Sequence, residues 1–167
     1  MHLSDPTIRP AREQDSEAIL DMIKGLAFFE KAPEKVELDV ETLKKDGFGL
    51  QPSFKAFVAE AEGTLLGFSL SYTRYSTWRG RVCFVEDLFV REEFRGKGIG
   101  KKLLDVQINW ALEQGMKYTC LQVLDWNEPA ISFYRKYPGS TFDPEWINVL
   151  LPNQVDPAIE QPSRERG

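Results

Sequence analysis

The feature that most restricts the fold of this chain is a strand, a glycine-rich loop and an amphipathic helix in direct succession. Residues 81–90 are rich in Val and Phe and predict the longest β-strand. A polar loop follows over 91–98, and from Ile99 apolar residues recur at helical spacing until Gly115. This succession, with strands and helices alternating through the second half of the chain, predicts an α/β fold with a mixed sheet.

The remaining elements follow from periodicity, caps and turn residues. Before the central strand we predict a strand over 7–9, a helix capped by Asp15 or Ser16 and a short helix from Asp39 to Lys45. A hairpin of strands 54–61 and 65–73 follows, around Glu62-Gly63. After the amphipathic helix we predict a strand over 118–124, a helix from Asn127 to about Tyr137 and a last strand over 146–151. The length of 167 residues predicts a single domain, over 1–151, with a flexible tail over 152–167 that is rich in Pro, Gln, Ser, Arg and Glu.

Charge and composition narrow the classes of function. With 21 basic and 26 acidic residues the net charge is −5, which favours a cationic substrate over nucleic acid. No stretch approaches the roughly 20 apolar residues that span a bilayer, so we expect no membrane partner. The first fifteen residues contain no apolar run of a secretory signal, and the chain has only two cysteines, Cys83 and Cys120. The expected location is therefore the reducing cytoplasm.

The only histidine of the chain is His2, close to the N-terminus. This excludes catalytic triads that contain histidine and most zinc sites, so we expect no metal centre. Any catalysis must use carboxylates, tyrosine, backbone amides or a cofactor.

The loop RGKGIG at 95–100 predicts a site for phosphate. Glycines let the backbone approach an anion closely, and the free N–H groups at the start of the following helix point toward it. The spacing does not match the P-loop or the dinucleotide-binding motif. It matches Arg-x-x-Gly-x-Gly, the pyrophosphate motif of the Gcn5-related N-acetyltransferases. On the motif alone, a glycine-rich turn without a ligand remains the alternative.

The similarity extends well beyond this loop. The segments FFEK at 28–31, DGFG at 46–49, YSTWRGR at 75–81, VEDLFV at 85–90, FRGKGIG at 94–100 and VLDWNEP at 123–129 all resemble the diamine acetyltransferase family, over about residues 7–146. Within that family the segments 75–78 and 124–127 are more similar to the thialysine N-ε-acetyltransferases than to the spermidine/spermine N1-acetyltransferases. The resemblance implies a mixed, mostly antiparallel sheet with a central, splayed pair of parallel strands flanked by helices.

The resemblance also implies acetyl-CoA as cosubstrate. The expected cofactor-binding residues come from the central strand, the glycine loop and the start of a later helix: Leu88, Phe89, Val90, Arg95, Gly96, Lys97, Gly98, Ile99, Gly100, Lys101, Asn127, Glu128, Pro129 and Ala130. Related enzymes are homodimers, so a homodimer is expected as well.

Two residues match the catalytic positions of the family. Tyr134 matches the general acid that protonates the leaving thiolate, and Glu86 matches a base that acts through water. Strand alternation would place Glu86 and Asp87 on opposite faces of the sheet. Without the resemblance, Tyr134 could be a core residue, and the two carboxylates could be exposed or helix-capping.

The acceptor is expected to be a small primary amine such as thialysine. The residues that match substrate-lining positions are Phe29, Glu30, Ser76, Trp78, Glu86, Asp87, Cys120, Leu121 and Gln122. Polyamine-specific members have an aspartate at the position of Ser76, and serine removes one ion-pair partner of a long polycation. The alternatives are acetylation of spermidine, spermine or a protein lysine, and a protein that binds acyl-CoA without catalysis.

Overall fold

Five strands form one mixed sheet in the order β1-β2-β3-β4-β5. The structure, a computed structural model, describes residues 5–153. The strands are β1 (Thr7–Pro10), β2 (Lys55–Ala61), β3 (Thr64–Ser76), β4 (Gly80–Val90) and β5 (Thr119–Leu121). Neighbours from β1 to β4 are antiparallel, whereas β4 and β5 are parallel. The predicted mixed sheet with one parallel pair is therefore confirmed.

The helices belong to two compact units, residues 5–126 and residues 127–153. They are α1 (Ser16–Phe29), α2 (Val40–Phe48), α3 (Ile99–Glu113) and α4 (Glu128–Arg135). The sheet and the first three helices form the first unit, and α4 lies in the second. Among the described residues no helix is long and apolar enough to cross a membrane.

Helices cover both faces of the sheet in the first unit. On one face Phe68, Leu70 and Phe89 pack in a core with α1 and α2, whereas Leu66 and Phe57 on the other face pack with α3. Full burial of such side chains stabilises a fold by about 1.5–3 kcal/mol each. Most of β2 and residues 65–71 of β3 are buried on both faces, so apolar residues there occur without strict alternation.

Local signals place several elements where the sequence predicts them. The Asp39 side chain accepts a hydrogen bond from the Thr42 N–H at 2.7 Å and caps α2. The turn between β2 and β3 has Glu62 at φ 51° and Gly63 at φ 76°, as a two-residue hairpin requires. These contacts confirm the predicted cap of α2 and the predicted hairpin.

Two predicted strands differ from the structure. The strand predicted over 118–124 is restricted to the three residues of β5. The strand predicted over 146–151 is wrong, because residues 141–152 contain no helix or strand and the side chains of Ile147 and Leu150 are exposed. Here the Trp146 indole N–H donates to Asp143 at 2.7 Å in a local turn. All but the first two residues of the predicted tail, 152–167, lie outside the described part, and the domain limits stay a prediction.

A buried polar cluster joins α3 to the sheet. Gln107 is fully buried, accepts from the Ser71 hydroxyl at 2.7 Å and donates to the Ser69 hydroxyl at 3.2 Å. The Ser69 hydroxyl in turn donates to the Leu103 carbonyl at 3.3 Å. Since buried polar groups are costly without partners, this cluster fixes the position of α3 against β3.

We expect Gln107→Ala to lower the free energy of unfolding by about 2–4 kcal/mol, because it leaves a cavity and deprives the Ser71 hydroxyl of its acceptor. The control is Gln114→Ala, since Gln114 is exposed at the C-terminal end of the same helix. Urea unfolding of both variants measures the effect. Equal stabilities of the two variants would contradict the assignment.

Candidate active site

A β-bulge interrupts β4 at Glu86. On β3, Leu70 pairs with Asp87 and the next residue, Ser71, pairs with Val85, so Glu86 is the extra residue of β4. The strict alternation predicted for Glu86 and Asp87 is therefore wrong. Burial, together with the Glu86 charge, raises the pKa of Asp87, whose partner Leu70 packs on the face covered by α1.

The parallel ladder ends at this bulge. Its last pair is Val85 with Leu121, after which β4 continues to Val90 whereas β5 stops. The Arg91 N–H donates to the Leu66 carbonyl of β3 at 2.9 Å. Alternation then directs the backbone groups of Leu88 and Val90 to the opposite edge of β4, which has no strand partner among the described residues.

The glycine loop that follows β4 leads into α3. Gly96 and Gly98 adopt positive φ values of 74° and 77°, and a Cβ on either would point into open space. The first helical hydrogen bond runs from the Lys102 N–H to the Gly98 carbonyl, so the preceding amides at 99–101 have no intrahelical acceptor. No side chain caps this helix and no acidic residue lies in its first turn. These properties fit a bound pyrophosphate.

The basic residues of the loop and of the first turn of α3 make different contacts. Arg95 donates from Nε to the Val90 carbonyl at 2.9 Å. The ammonium group of Lys97 lies 5.4 Å from the centroid of the Phe94 ring. Lys101 forms an ion pair with Asp105 one turn along α3. Arg95 therefore anchors the loop to the end of β4, whereas the ion pair of Lys101 lies within the helix.

Three carboxylates, Glu30, Glu86 and Asp87, lie close enough to one another beside the bulge to interact electrostatically. Burial raises the pKa of Asp87 to about 7, and the charges of Glu86 and Glu30 contribute to this rise. Burial also raises the pKa of Glu30, which follows the last residue of α1. Tyr72, opposite Phe84 on β3, has its phenol pKa raised by burial and by the Glu86 charge. Such a cluster favours a cationic ligand, because a cation would relieve the repulsion.

Aromatic side chains border this acidic cluster. The rings of Phe29 at the end of α1 and Trp126 after β5 have centroids 5.8 Å apart. The ammonium group of Lys31 lies 4.7 Å from the Trp126 ring, and Lys31 adopts a positive φ of 61°. These contacts hold the end of α1 beside the segment that follows β5.

The other predicted acceptor-lining residues are distributed along β5 and the β3–β4 hairpin. Cys120 and Leu121 lie on β5, and Gln122 follows it. Ser76 is the last residue of β3, and its hydroxyl accepts from the N–H groups of Trp78 and Arg79 at 3.3 and 3.2 Å. Ser76 lies five strand residues beyond the bulge, or about 16–17 Å. The structure therefore does not bring Ser76 and Trp78 together with the acidic cluster in this unit.

The second unit contains the remaining predicted residues. The Asn127 side chain accepts from the Ala130 N–H at 3.3 Å and caps α4, with Glu128 and Pro129 in the first turn. Burial raises the pKa of Tyr134 to about 12, so its phenol stays protonated near neutral pH. A protonated phenol can act as a general acid.

The bulge, Tyr72 and Lys31 were not predicted from the sequence as parts of the site. The only signal for the bulge is the pair of acidic residues, Glu86 and Asp87, inside an otherwise apolar strand. Lys31 and Tyr72 have no such signal, because their roles depend on the packing of α1 against the sheet.

Two curated proteins of similar sequence indicate the family of this chain. The thialysine N-epsilon-acetyltransferase of Mus musculus is 40% identical over 141 residues, which cover 80% of this chain and 83% of that protein. The human spermidine/spermine N(1)-acetyltransferase-like protein 1 is 34% identical over 134 residues, covering 76% of this chain and 19% of that protein.

A solved structure and a family model support the fold. An aminoglycoside N-acetyltransferase in complex with CoA has a TM-score of 0.69 at 18% identity, covering 92% of this chain and 97% of that one. The sequence model of the acetyltransferase (GNAT) family matches residues 19–139, well over half of the chain. The chain is therefore an N-acetyltransferase that belongs to the GNAT family and, within it, to the diamine acetyltransferases.

Proposed function

We propose that this N-acetyltransferase transfers the acetyl group of acetyl-CoA to the side-chain amine of thialysine or a similar small amino acid. The observation that carries the proposal is the 40% identity to a thialysine N-epsilon-acetyltransferase. The acidic cluster supports it, because it suits an ammonium group. Ser76 supports it as well, because at about 16–17 Å from the cluster a carboxylate in its place could pair only with a far ammonium group of a long polycation, and serine offers no such partner.

Acetyl-CoA supplies an activated acetyl thioester when bound. The open edge of β4 offers the backbone groups of Leu88 and the N–H of Val90 to an extended chain such as pantetheine, whereas the Val90 carbonyl already accepts from Arg95. The glycine loop and the free amides of α3 would hold the pyrophosphate, with Lys97 and Arg95 adding positive charge. The CoA bound to a structural relative of the same fold supports this assignment.

The acceptor amine must lose a proton before it can attack a thioester. An amine with a pKa near 10.4 is neutral in only about one molecule in 2,500 at pH 7. We assign the ammonium group to the cluster of Glu30, Glu86 and Asp87. Glu86 then accepts the proton through water, since it is the exposed member at the bulge.

The leaving thiolate must gain a proton, and we assign its donor to Tyr134. Burial raises the pKa of Tyr134 to about 12, so the phenol carries its hydrogen at neutral pH and can donate it to the developing thiolate; the shift itself makes the phenol a weaker acid and does not favour the transfer. Glu86 and Tyr134 thus have opposite tasks, one accepting a proton from the amine and the other supplying a proton to sulfur.

A polyamine acceptor is the second candidate. The observation that favours it is the 34% identity to the human spermidine/spermine N(1)-acetyltransferase-like protein. The acidic cluster would suit either acceptor, whereas Ser76 distinguishes between them.

We also propose that the enzyme is a cytoplasmic homodimer. Exposed apolar side chains support a second copy, among them Trp78 at the hairpin tip and the segment 146–151. Sedimentation equilibrium measures the mass, and a monomer at micromolar concentration would contradict the dimer. The cytoplasm is supported by the free thiols of Cys83 and Cys120.

The proposal is tested by acetyl-CoA-dependent thiol release with thialysine, lysine, spermidine, spermine and a basic peptide at matched concentrations. We expect the highest kcat/KM with thialysine. A preference for spermidine would overturn the small-amino-acid assignment and would favour compensation for Ser76 by another carboxylate. No release with any of the five amines would contradict the proposed acceptor class.

We expect Ser76→Asp to raise the kcat/KM for spermidine by about tenfold, because it adds a carboxylate for a second ammonium group. Ser76→Asn is the matched control, since asparagine has the same shape as aspartate and keeps an oxygen for the turn but adds no charge. Steady-state thiol release with spermidine and thialysine measures both variants. A similar gain in both would show that charge is not the cause.

We expect Tyr134→Phe to lower kcat by about 10²–10⁴-fold with little change in the Kd for CoA, because it removes a proton donor and not a binding contact. Tyr137→Phe is the control, since both tyrosines pack against Phe133, at 5.2 and 5.6 Å. Thiol release gives kcat and calorimetry gives the Kd. An unchanged kcat for Tyr134→Phe would reject this residue as the acid.

The pKa of Asp87 near 7 predicts a pH dependence of acceptor binding. Asp87 is neutral below this value and charged above it, whereas the amine stays cationic to about pH 10. In the presence of CoA, which has no acetyl group to transfer, the Kd for thialysine should therefore fall about tenfold from pH 6 to pH 8. Asp87→Asn should flatten this profile, whereas Glu113→Gln on the exposed side of α3 should not. A flat profile in the unmodified enzyme would reject Asp87 as a ligand of the amine.

A further inference from the structure

The side chain of Arg95 connects the glycine loop to the end of α1. Its guanidinium carbon lies 5.4 Å from the centroid of the Phe29 ring and 5.7 Å from that of Phe89. Phe29 is the last residue of α1, whereas Phe89 belongs to β4. Arg95 therefore contacts both an acceptor-side helix and the central strand from a position within the loop.

The donors of Arg95 divide into two sets. The Nε–H group donates a hydrogen bond to the Val90 carbonyl at the open edge of β4. Within residues 5–153, Arg95 forms no ion pair, so its two Nη groups have no carboxylate partner. One hydrogen bond and two ring contacts orient the exposed guanidinium without fixing it, and its remaining donors suit an anion in the loop.

The contacts continue from Phe29 toward the acceptor side. The Phe29 ring contacts the Trp126 ring, and the ammonium group of Lys31 makes a cation–π contact with the same Trp126 ring. Glu30, between Phe29 and Lys31, is one of the three carboxylates of the acidic cluster. Because Glu30 follows Phe29 directly in the chain, a displacement of this end of α1 would move both side chains.

From these contacts we infer that Arg95 is a positioning residue that couples the two substrate sites, so that CoA and the amine bind with positive cooperativity. The inference rests on the proposed function, because it assigns CoA to the loop and the amine to the acidic cluster. An anion bound to the Nη groups fixes the guanidinium, which holds Phe29 and with it Glu30. By thermodynamic linkage, the amine strengthens CoA binding by the same factor.

Calorimetric titration tests this coupling. CoA is titrated into the enzyme with and without saturating thialysine, and the ratio of the two Kd values is the coupling factor. We expect a factor of about fivefold or more in the unmodified enzyme. Phe29→Leu, which keeps an apolar side chain but removes the ring, should reduce the factor to near one. Any direct contact of Phe29 with the amine cancels from this ratio.

Phe28→Leu is the matched control, because Phe28 is the neighbouring phenylalanine of α1 and is 75% exposed. It should keep the coupling of the unmodified enzyme. Arg95→Lys keeps the charge but loses the planar fork and Nε, so it should weaken CoA binding and abolish coupling. The double variant should show no further loss, since both residues act in one path.

A coupling factor near one in the unmodified enzyme, or an undiminished factor in Phe29→Leu, would overturn the inference. If thialysine gives no thiol release, the proposed acceptor is wrong, and the titration is repeated with whichever amine is acetylated fastest. Failure of the proposed acceptor is thereby distinguished from failure of the coupling.

Discussion

The β-bulge at Glu86 is the constraint on which the site depends. From Cys83 to Val85, β4 is an ordinary interior strand with partner strands on both sides. The extra residue bends the strand, and the parallel ladder ends at the pair of Val85 with Leu121. The bulge therefore coincides with the point at which one edge of β4 loses its partner strand, and its extra residue adds an acidic side chain beside Asp87.

The fold can tolerate this interruption because the sheet is held elsewhere. Long antiparallel pairings join β2, β3 and β4, and apolar side chains are buried on both faces. Gln107 and its serine partners fix α3, whose first residues follow the glycine loop directly. The position of the loop is thus determined by the buried end of the helix as well as by β4.

Periodicity and caps predicted most of the fold because they are local signals. The amphipathic face of α3, the Asp39 cap and the Glu62-Gly63 turn each depend on residues close together in the chain. The strand predicted over 146–151 is wrong because strand formation depends on contacts with a distant segment of the chain. An apolar run forms a strand only beside a partner strand, and composition does not reveal whether one is present.

The residues of the candidate site likewise include some with a local sequence signal and some without one. The glycine loop was predicted because its function requires particular backbone angles and amides, which leave a readable pattern of glycines. The proximity of Glu30 to Asp87 does not follow from periodicity, because it depends on how far α1 extends over β4. Only resemblance to a family placed these residues together, and it carried no information on the bulge or on the contacts of Arg95.

The acidic cluster shows how such a site opposes the stability of its own fold. Burial and like charges raise the pKa of Asp87 from an ordinary value near 3.8 to about 7. The folded state therefore binds a proton more tightly than the unfolded chain, and the contribution of Asp87 to stability declines as the pH rises from about 4 to 7. A bound ammonium group reverses this effect, because it favours the charged carboxylate. Repulsion that destabilises the free enzyme thus becomes attraction for a cationic acceptor, in the pH range where the amine itself stays charged.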